Sequence, residues 1–334
     1  MRVVLVLVLL LGGALGTAWL GGETWLARET ARRIADDPRI DSAAVTPLRE
    51  LSRIGLNLAD VRLDTPQGAA TLPWLDLWAA PTAPNEFHAA LPPSMSVLVG
   101  GTERSLTAKD ARVSVRVSPS RTMMLNRAAG VSGPVTLDGD PLLESADLAA
   151  TLVAMGAAAP PAARASYRLD GRVEGVTPAA LPPEIARSGP ISAEGMAQVF
   201  LTAPVSAAAG SAKPGIVGVG LQGVSLRLGD RSLRMTGNLA ADADHRLQGA
   251  VFVYTSDARG WLQLAAAAGL IPQATVALAG TAVATVAAAD IDLPAGVPAP
   301  APPADGELRI PVVFKDGKVW LGPLALAPAP VFPG

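Results

Sequence analysis

The chain contains no cysteine. Disulfides, thiolate nucleophiles and cysteine-ligated zinc or iron–sulfur centres are excluded with it. Histidine is almost as scarce: only His88 and His245 are present, too few for a histidine-rich metal site. Aromatic residues make up 4% and charged residues 17% of the 334 positions. Lys and Arg number 27 against 29 Asp and Glu, a formal charge of −2, which leaves no basic footprint for a nucleic acid. Also missing are a G-x-S-x-G elbow, an H-E-x-x-H pair, a phosphate-binding loop and an EF-hand loop. No enzymatic activity and no cofactor are expected. A third, enzymatic reading would need a pocket that brings His88 or His245 together with carboxylates.

What is present is grease and turns. Half of the residues are apolar, which excludes disorder along the whole chain. The 33 glycines and 30 prolines make breaks frequent. One long uncharged run, Val3–Leu20, follows Arg2. Eighteen residues at about 1.5 Å each reach about 27 Å, enough for the hydrocarbon core of a bilayer. Residues 1–22 therefore read as a membrane anchor, with Trp19 and Trp25 flanking its exit. The alternative is a cleaved signal peptide with Gly16-Thr17-Ala18 before the cut. Arg28, Arg32 and Arg33 close behind the run argue mildly against export of that flank. No second run of comparable length follows.

Thr24–Asp37 reads as a short helix within a juxtamembrane segment 23–40. Thr24 is its expected cap, Ala27, Ala31, Ile34 and Ala35 form one face, and Asp37-Pro38 should end it. After it the apolar period changes to two. Alternation marks strands at Leu56–Asp64 (with a slip at Ala59-Asp60 that suggests a bulge), Met95–Gly100, Ala111–Ser118, Val135–Gly139, Ala165–Gly175, Ala197–Val205, Val224–Leu239, Leu247–Thr255, Ala274–Leu293 and Glu307–Leu326. Gly229-Asp230 and Asp316-Gly317 carry two-residue hairpin chemistry; Asp138-Gly139 and Asp170-Gly171 repeat it more weakly. Ten to twelve strands are expected, with helical interruptions at Leu142–Met155 and Gly260–Leu270. Ala157–Ala165 divides the β region into halves at 41–160 and 161–334. Val297–Asp305 reads as an extended linker before the last hairpin.

Gly218-Val219-Gly220-Leu221-Gln222-Gly223 fits a dinucleotide-binding pattern, but the residues after it alternate as a strand, so a glycine-rich strand is the better account. His88 and His245 read as residues of solvated turns. Trp74 and Trp78 read as core anchors or interface rings. The run Ala274–Ala289 is apolar on both faces, which requires either a covering layer or an oily groove. Val276, Leu278, Val283, Val286, Val251 and Val253 are the candidate lining residues of such a groove.

The N-terminal apolar run, the segment IGLNLADVRLDTPQGAATLPWLDLWAAPTAPNEFHAALPPSMSVLVGG and the ending DGELRIPVVFKDGKVWLGPLALAPAP together resemble the alphaproteobacterial domain of unknown function 2125 family. Phrases such as LRLGDRSLRMTGNLAAD look like strand pairs of the AsmA/TamB-like envelope proteins. The resemblance implies a mainly β protein: an elongated, curved antiparallel sheet of half-barrel or groove type, with an N-terminal transmembrane helix and one or two short helices. It implies an inner-membrane location with the C-terminal body in the periplasm, or secretion to the periplasm after cleavage. It also implies a non-enzymatic role in binding or helping to transfer lipid along a hydrophobic β-groove. A phospholipid or similar ligand and an envelope protein are the implied partners. The other reading is a structural or assembly factor of the envelope that acts through protein partners.

Overall fold

The computed structural model describes residues 23–332, apart from 49, 51, 66–67, 121, 157–158, 178–182, 207–212, 270–275, 277–292, 294–298 and 323. Among the described residues there are twenty β-strands and three helices. The strands pair antiparallel, as the mainly β reading requires. The chain separates into two compact units, one of residues 1–151 with 205–213 and the other of residues 152–204 with 214–334.

The first unit opens with α1 (Glu23–Asp36). Its buried face is Leu26, Ala27, Thr30 and Ile34, whereas Ala31 and Ala35 are exposed. The four-residue spacing was right and the stripe was off by part of a turn, because Leu26 rather than Ala31 meets the sheet. Thr24 lies inside the helix rather than capping it. Two short strands, β1 (Ile40–Asp41) and β2 (Ala44–Pro47), pair side by side with the long β3 (Ile54–Thr65). β3 pairs with β4 (Gly68–Ala80). The remaining strands are β5 (Ala83–Ala90), β6 (Ser94–Val99), β7 (Thr102–Ala108), β8 (Arg112–Val117), β9 (Leu125–Ser132), β10 (Val135–Leu137), β11 (Asp140–Leu143) and β12 (Ser145–Val153).

These eight strands are halves of longer ones. β5 and β6 both pair with β4, the first at Asp76–Ala80 and the second at Ala70-Thr71. Pro92-Pro93 sits between them. β8 pairs with β5 and β7 with β6; β9 then pairs with β8 and β10 with β7. β12 and β11 pair with β9 and β10 in turn. Every strand is interrupted at the same transverse row: Asp60, Pro73, Leu91–Pro93, Lys109-Asp110, Gly133-Pro134 and Glu144. Asp60 and Asp110 have φ of 49° and 54°. Each proline in that row lacks the N–H a ladder needs. Lys109 N nevertheless donates to Pro134 O at 3.1 Å, and Gly133 N to Lys109 O at 2.8 Å. The result is a crease across the sheet.

The core of this unit gathers on one sheet face, with Leu56, Leu58 and Val61 of β3, Leu72, Leu75 and Leu77 of β4, Phe87 and Val115 buried in one cluster with Leu26, Ala27 and Ile34 of α1. Residues Leu142–Met155 are not helical: 145–153 form β12, paired with β9 over six positions. Inter-strand hydrogen bonding overrode an Ala/Leu-rich stretch that favours a helix locally. His88 is likewise not in a turn but in β5.

The second unit is a series in which each strand pairs with the next: β13 (Ala165–Val176), β14 (Ile191–Leu201), β15 (Ile216–Leu228), β16 (Arg231–Ala241), β17 (Leu247–Thr255), β18 (Leu308–Lys315), β19 (Lys318–Leu321) and β20 (Leu324–Pro328). Among the described residues no pairing joins β13 to β20, so the ribbon is open. Gly229-Asp230 and Asp316-Gly317 form the tight turns, the latter with φ of 52° and 67°, as two-residue hairpins demand. Asp138-Gly139 turns in the same way in the first unit, at φ of 53° and 92°. Asp170-Gly171 does not: it lies inside β13, opposite Met196 and Gly195. One turn of helix, α2 (Pro183–Ala186), sits between β13 and β14. The helix expected near Gly260 is α3 (Ala258–Ala267), between β17 and β18. The strand expected at Ala274–Leu293 lies outside the described residues except at two positions. Val276 is helical and half-buried, against expectation. Leu293 packs on the buried cluster of Ala250, Phe252, Tyr254 and Val313.

Candidate functional site

The strand register of the second unit sorts its side chains into two unlike faces. On one face, Leu169, Ala197, Leu221, Gly237 and Val251 stand side by side across β13 to β17. Val199, Val219 and Leu239 form a second row. Val173, Ala193, Leu226 and Leu233 form a third. No charge interrupts these rows. Their side chains are only half-buried, and Leu169 is 38% exposed. A bulge at Gly223, where φ is 81°, lets β15 add one residue between Gln222 and Val224 and keep this face apolar on both sides of it.

The opposite face carries Arg168, Gln198 and Asn238 in one row and Asp170, Met196, Gln222 and Thr236 in the next. Arg172 pairs there with Glu194 at 2.7 Å and with Glu174 at 3.6 Å. The carboxylates raise its guanidinium pKa further, Glu194 first through its hydrogen bond. A shallow hollow of about 190 Å³ lies beside them, lined by Arg172, Glu194, Ser225 and Arg227 among others. The charge of Arg172 is already neutralised in it. This face is also apolar at Met196 and at the buried Phe200, and again at Ala250, Phe252, Val313 and Trp320, where it is covered. Tyr254 is fully buried there and donates its hydroxyl to Ala301 O at 2.8 Å, so the expected linker Val297–Asp305 is anchored to the sheet at that point. Arg234 stacks over the Tyr254 ring at 4.2 Å and pairs with Glu307 at 3.4 Å.

α3 covers one end of the apolar face: Ala258 and Leu262 pack on Val253, Leu308, Ile310, Val312 and Leu321. Asp257 caps the helix, accepting from Gly260 N at 2.9 Å and from Arg231 Nε at 2.9 Å. The Gly260 amide first, and the Arg231 guanidinium second, hold its carboxyl below the usual carboxylate range.

The candidate lining residues divide accordingly. Val251 and Val253 both stand on the apolar face, Val251 in its central row and Val253 beneath α3. Val276 is described only as a half-buried helical residue. Leu278, Val283 and Val286 lie outside the described residues. The rows on β13 to β16 escaped the sequence reading, although the alternation in Ala197–Val205 and Val224–Leu239 carried the signal: Ala197, Val199 and Leu201, then Val224, Leu226 and Leu228, and after the Gly229-Asp230 turn Leu233, Met235 and Leu239 are spaced by twos or fours.

The remaining candidates are scattered. His88 stacks on Trp78 with ring centroids 5.4 Å apart, and Arg53 lies 5.1 Å over the same tryptophan. Trp78 shares with Trp74 the face of β4 turned away from the core, so neither is a core anchor. His245 is exposed in the turn between β16 and β17 at φ 58°. Residues 218–223 lie within β15, not at a helix start. Among the described residues no three His, Asp or Glu side chains are grouped to hold a metal ion, and no described helix is long and apolar enough to cross a membrane.

No curated protein and no solved structure matches the chain. Residues 52–330 match the model of a family described as an uncharacterized protein conserved in bacteria (DUF2125); with most of its length matched in this way, the chain belongs to that family.

Proposed function

We propose that this chain is a non-enzymatic protein of the bacterial envelope that binds lipid acyl chains on the apolar face of its second unit and helps to transfer them. The observation that carries the reading is the one-sidedness of β13 to β16: three uncharged rows, half-buried, back to back with rows of Arg, Asp, Gln and Asn. A surface of this composition is costly to leave in water. An acyl chain laid on it gains about 0.8 kcal/mol for each methylene withdrawn from solvent. No directed polar contacts are required for such binding. The likeness of the strand phrases to AsmA/TamB-like proteins supports the same role. The run Val3–Leu20 supports an inner-membrane tether, with the body in the periplasm.

The test is mass spectrometry of lipid recovered with the purified full chain, together with uptake of a fluorescent phospholipid. Lipid should accompany the wild type and be largely lost from Leu221→Glu. A chain that carries no lipid and accepts none overturns the reading. The second reading, an assembly factor that acts through a protein partner, is favoured by the exposed apolar tip of the β6–β7 hairpin, where Leu98 and Val99 are 38% and 53% exposed. A single dominant crosslinked protein, dependent on that tip, is its signature.

A further inference from the structure

The two sides of α1 are differently occupied. Leu26, Ala27, Thr30 and Ile34 are buried in the core of the first unit, Leu26 and Thr30 almost completely. The outward stripe consists of Trp25, Arg28 and Arg32, with Ala35 beside them, all exposed. These positions fall three and four apart and so share one helix face. Trp25 is 39% exposed, an unusual setting for the largest side chain of the helix. Arg28 has no ion-pair partner among the described residues. The acidic neighbours are partly spoken for: Glu29 accepts from Arg33 at 3.1 Å and from Arg32 at 3.4 Å, while Asp36 stands alone at the C-terminal end.

The position of this stripe along the chain identifies its partner. The uncharged run ends at Leu20, and only Gly21 and Gly22 separate it from Glu23. Three Cα steps span at most about 11 Å. With residues 3–20 as the membrane segment, the first turn of α1 cannot leave the headgroup layer, and a helix of fourteen residues runs about 21 Å from there. Its inner side is already taken by the sheet, so the side that can meet lipid is the one bearing Trp25, Arg28 and Arg32. Tryptophan prefers that interfacial depth, and arginine pairs there with lipid phosphates while its stem lies along the acyl boundary.

We propose that α1 lies along the membrane surface, with Trp25 in the interface and Arg28 and Arg32 on lipid phosphates, and thereby fixes how the first unit stands on the bilayer. The proposal rests on the reading of residues 3–20 as an uncleaved membrane segment.

The absence of cysteine makes the test direct: Ala35→Cys in the full chain gives a single site for an environment-sensitive fluorophore. The labelled protein is reconstituted in nanodiscs of phosphatidylcholine with phosphatidylglycerol, and quenching by aqueous iodide is measured; carbonate extraction of the native membranes is followed in parallel. An extraction-resistant chain whose probe is shielded several-fold relative to the same probe on the detergent-solubilised protein supports the proposal, provided Trp25→Ala with Arg28→Glu and Arg32→Glu restores the quenching. An extraction-resistant chain whose probe is equally quenched in both settings overturns the docking of α1 and leaves the membrane segment intact. A chain released by carbonate overturns both. None of the three results depends on whether the second unit carries lipid.

Discussion

Asp60 of β3 faces Pro73 of β4, between the pairs Ala59–Trp74 and Val61–Leu72. The register is the same on both sides of this rung, yet the core-facing residues change parity in both strands at once: Leu58 is followed by Val61, and Leu75 is preceded by Leu72. Each strand carries one additional residue there, so the slip is shared rather than a bulge of β3 alone. Pro73 has no N–H to give, which frees the position opposite, and Asp60 takes a left-handed conformation at φ 49°.

This geometry predicts opposite behaviour for two substitutions. Asp60→Val places a β-branched residue in the left-handed region and should destabilise the protein by about 1–2 kcal/mol. Asp60→Gly should be close to neutral, because glycine occupies that region freely. Urea unfolding of the two variants checks it; equal losses would remove the backbone argument.

The same crease explains how much of the fold the sequence disclosed. Strands with unbroken alternation, such as Ala111–Ser118, which forms β8 at Arg112–Val117, are legible to within a residue, because two faces of different polarity repeat every two positions. β4 is not, since Pro73 and the parity change break its period in the middle. β9 and β12 are not either: their facing residues include Ala128, Gly130 and Ala150, too small to mark a buried face, and the Ala- and Leu-rich β12 mimics a helix. The candidate site was legible only in part for a different reason. Alternation shows that one face of β14 to β16 is apolar, but not that those faces align into rows, which is a property of register set by the turns.

Burial differences across the two units predict a contrast in core substitutions. Leu58 is fully buried, and Leu58→Ala should cost about 3 kcal/mol, within the usual range for a well-packed leucine. Leu221 on the apolar face is half-buried, and Leu221→Ala should cost about 1 kcal/mol, since much of its side chain has no partner to lose. Denaturant unfolding of lipid-free protein gives both values. A loss at Leu221 as large as that at Leu58 would mean a filled interior and would count against a lipid-binding face.

Gly237 occupies the central apolar row at φ 143°. A Cβ there would lie 2.1 Å from Ala250 O, a backbone atom of the neighbouring strand. Gly237→Ala should therefore push β16 from β17 and destabilise the second unit by more than 1 kcal/mol, although alanine is otherwise the better strand residue. Hydrogen exchange localises the effect: amides of β16 and β17 should lose protection, whereas those of β3 and β4 should keep theirs.

Asp257 joins the start of α3 to β16 through Gly260 and Arg231, and its depressed pKa makes that link dependent on pH. A carboxyl whose folded-state pKa lies below its unfolded value of about 3.9 contributes stability that is complete above that value. The contribution disappears as pH falls through the folded pKa, when the capping carboxylate is protonated. At pH 7, Asp257→Ala should cost about 1 kcal/mol, the ordinary loss for an N-cap; the half-exposed pair with Arg231 adds little to this. The difference between wild type and variant should shrink as the pH drops below about 4. Asp257→Asn, which retains an acceptor for Gly260 N without the charge, should recover most of the stability at pH 7 and show no such narrowing. Unfolding free energies of the three proteins at neutral and acid pH decide the matter: a gap that stays constant down to the acid limit would assign the cost of Asp257→Ala to lost packing beneath α3 rather than to the capping carboxylate.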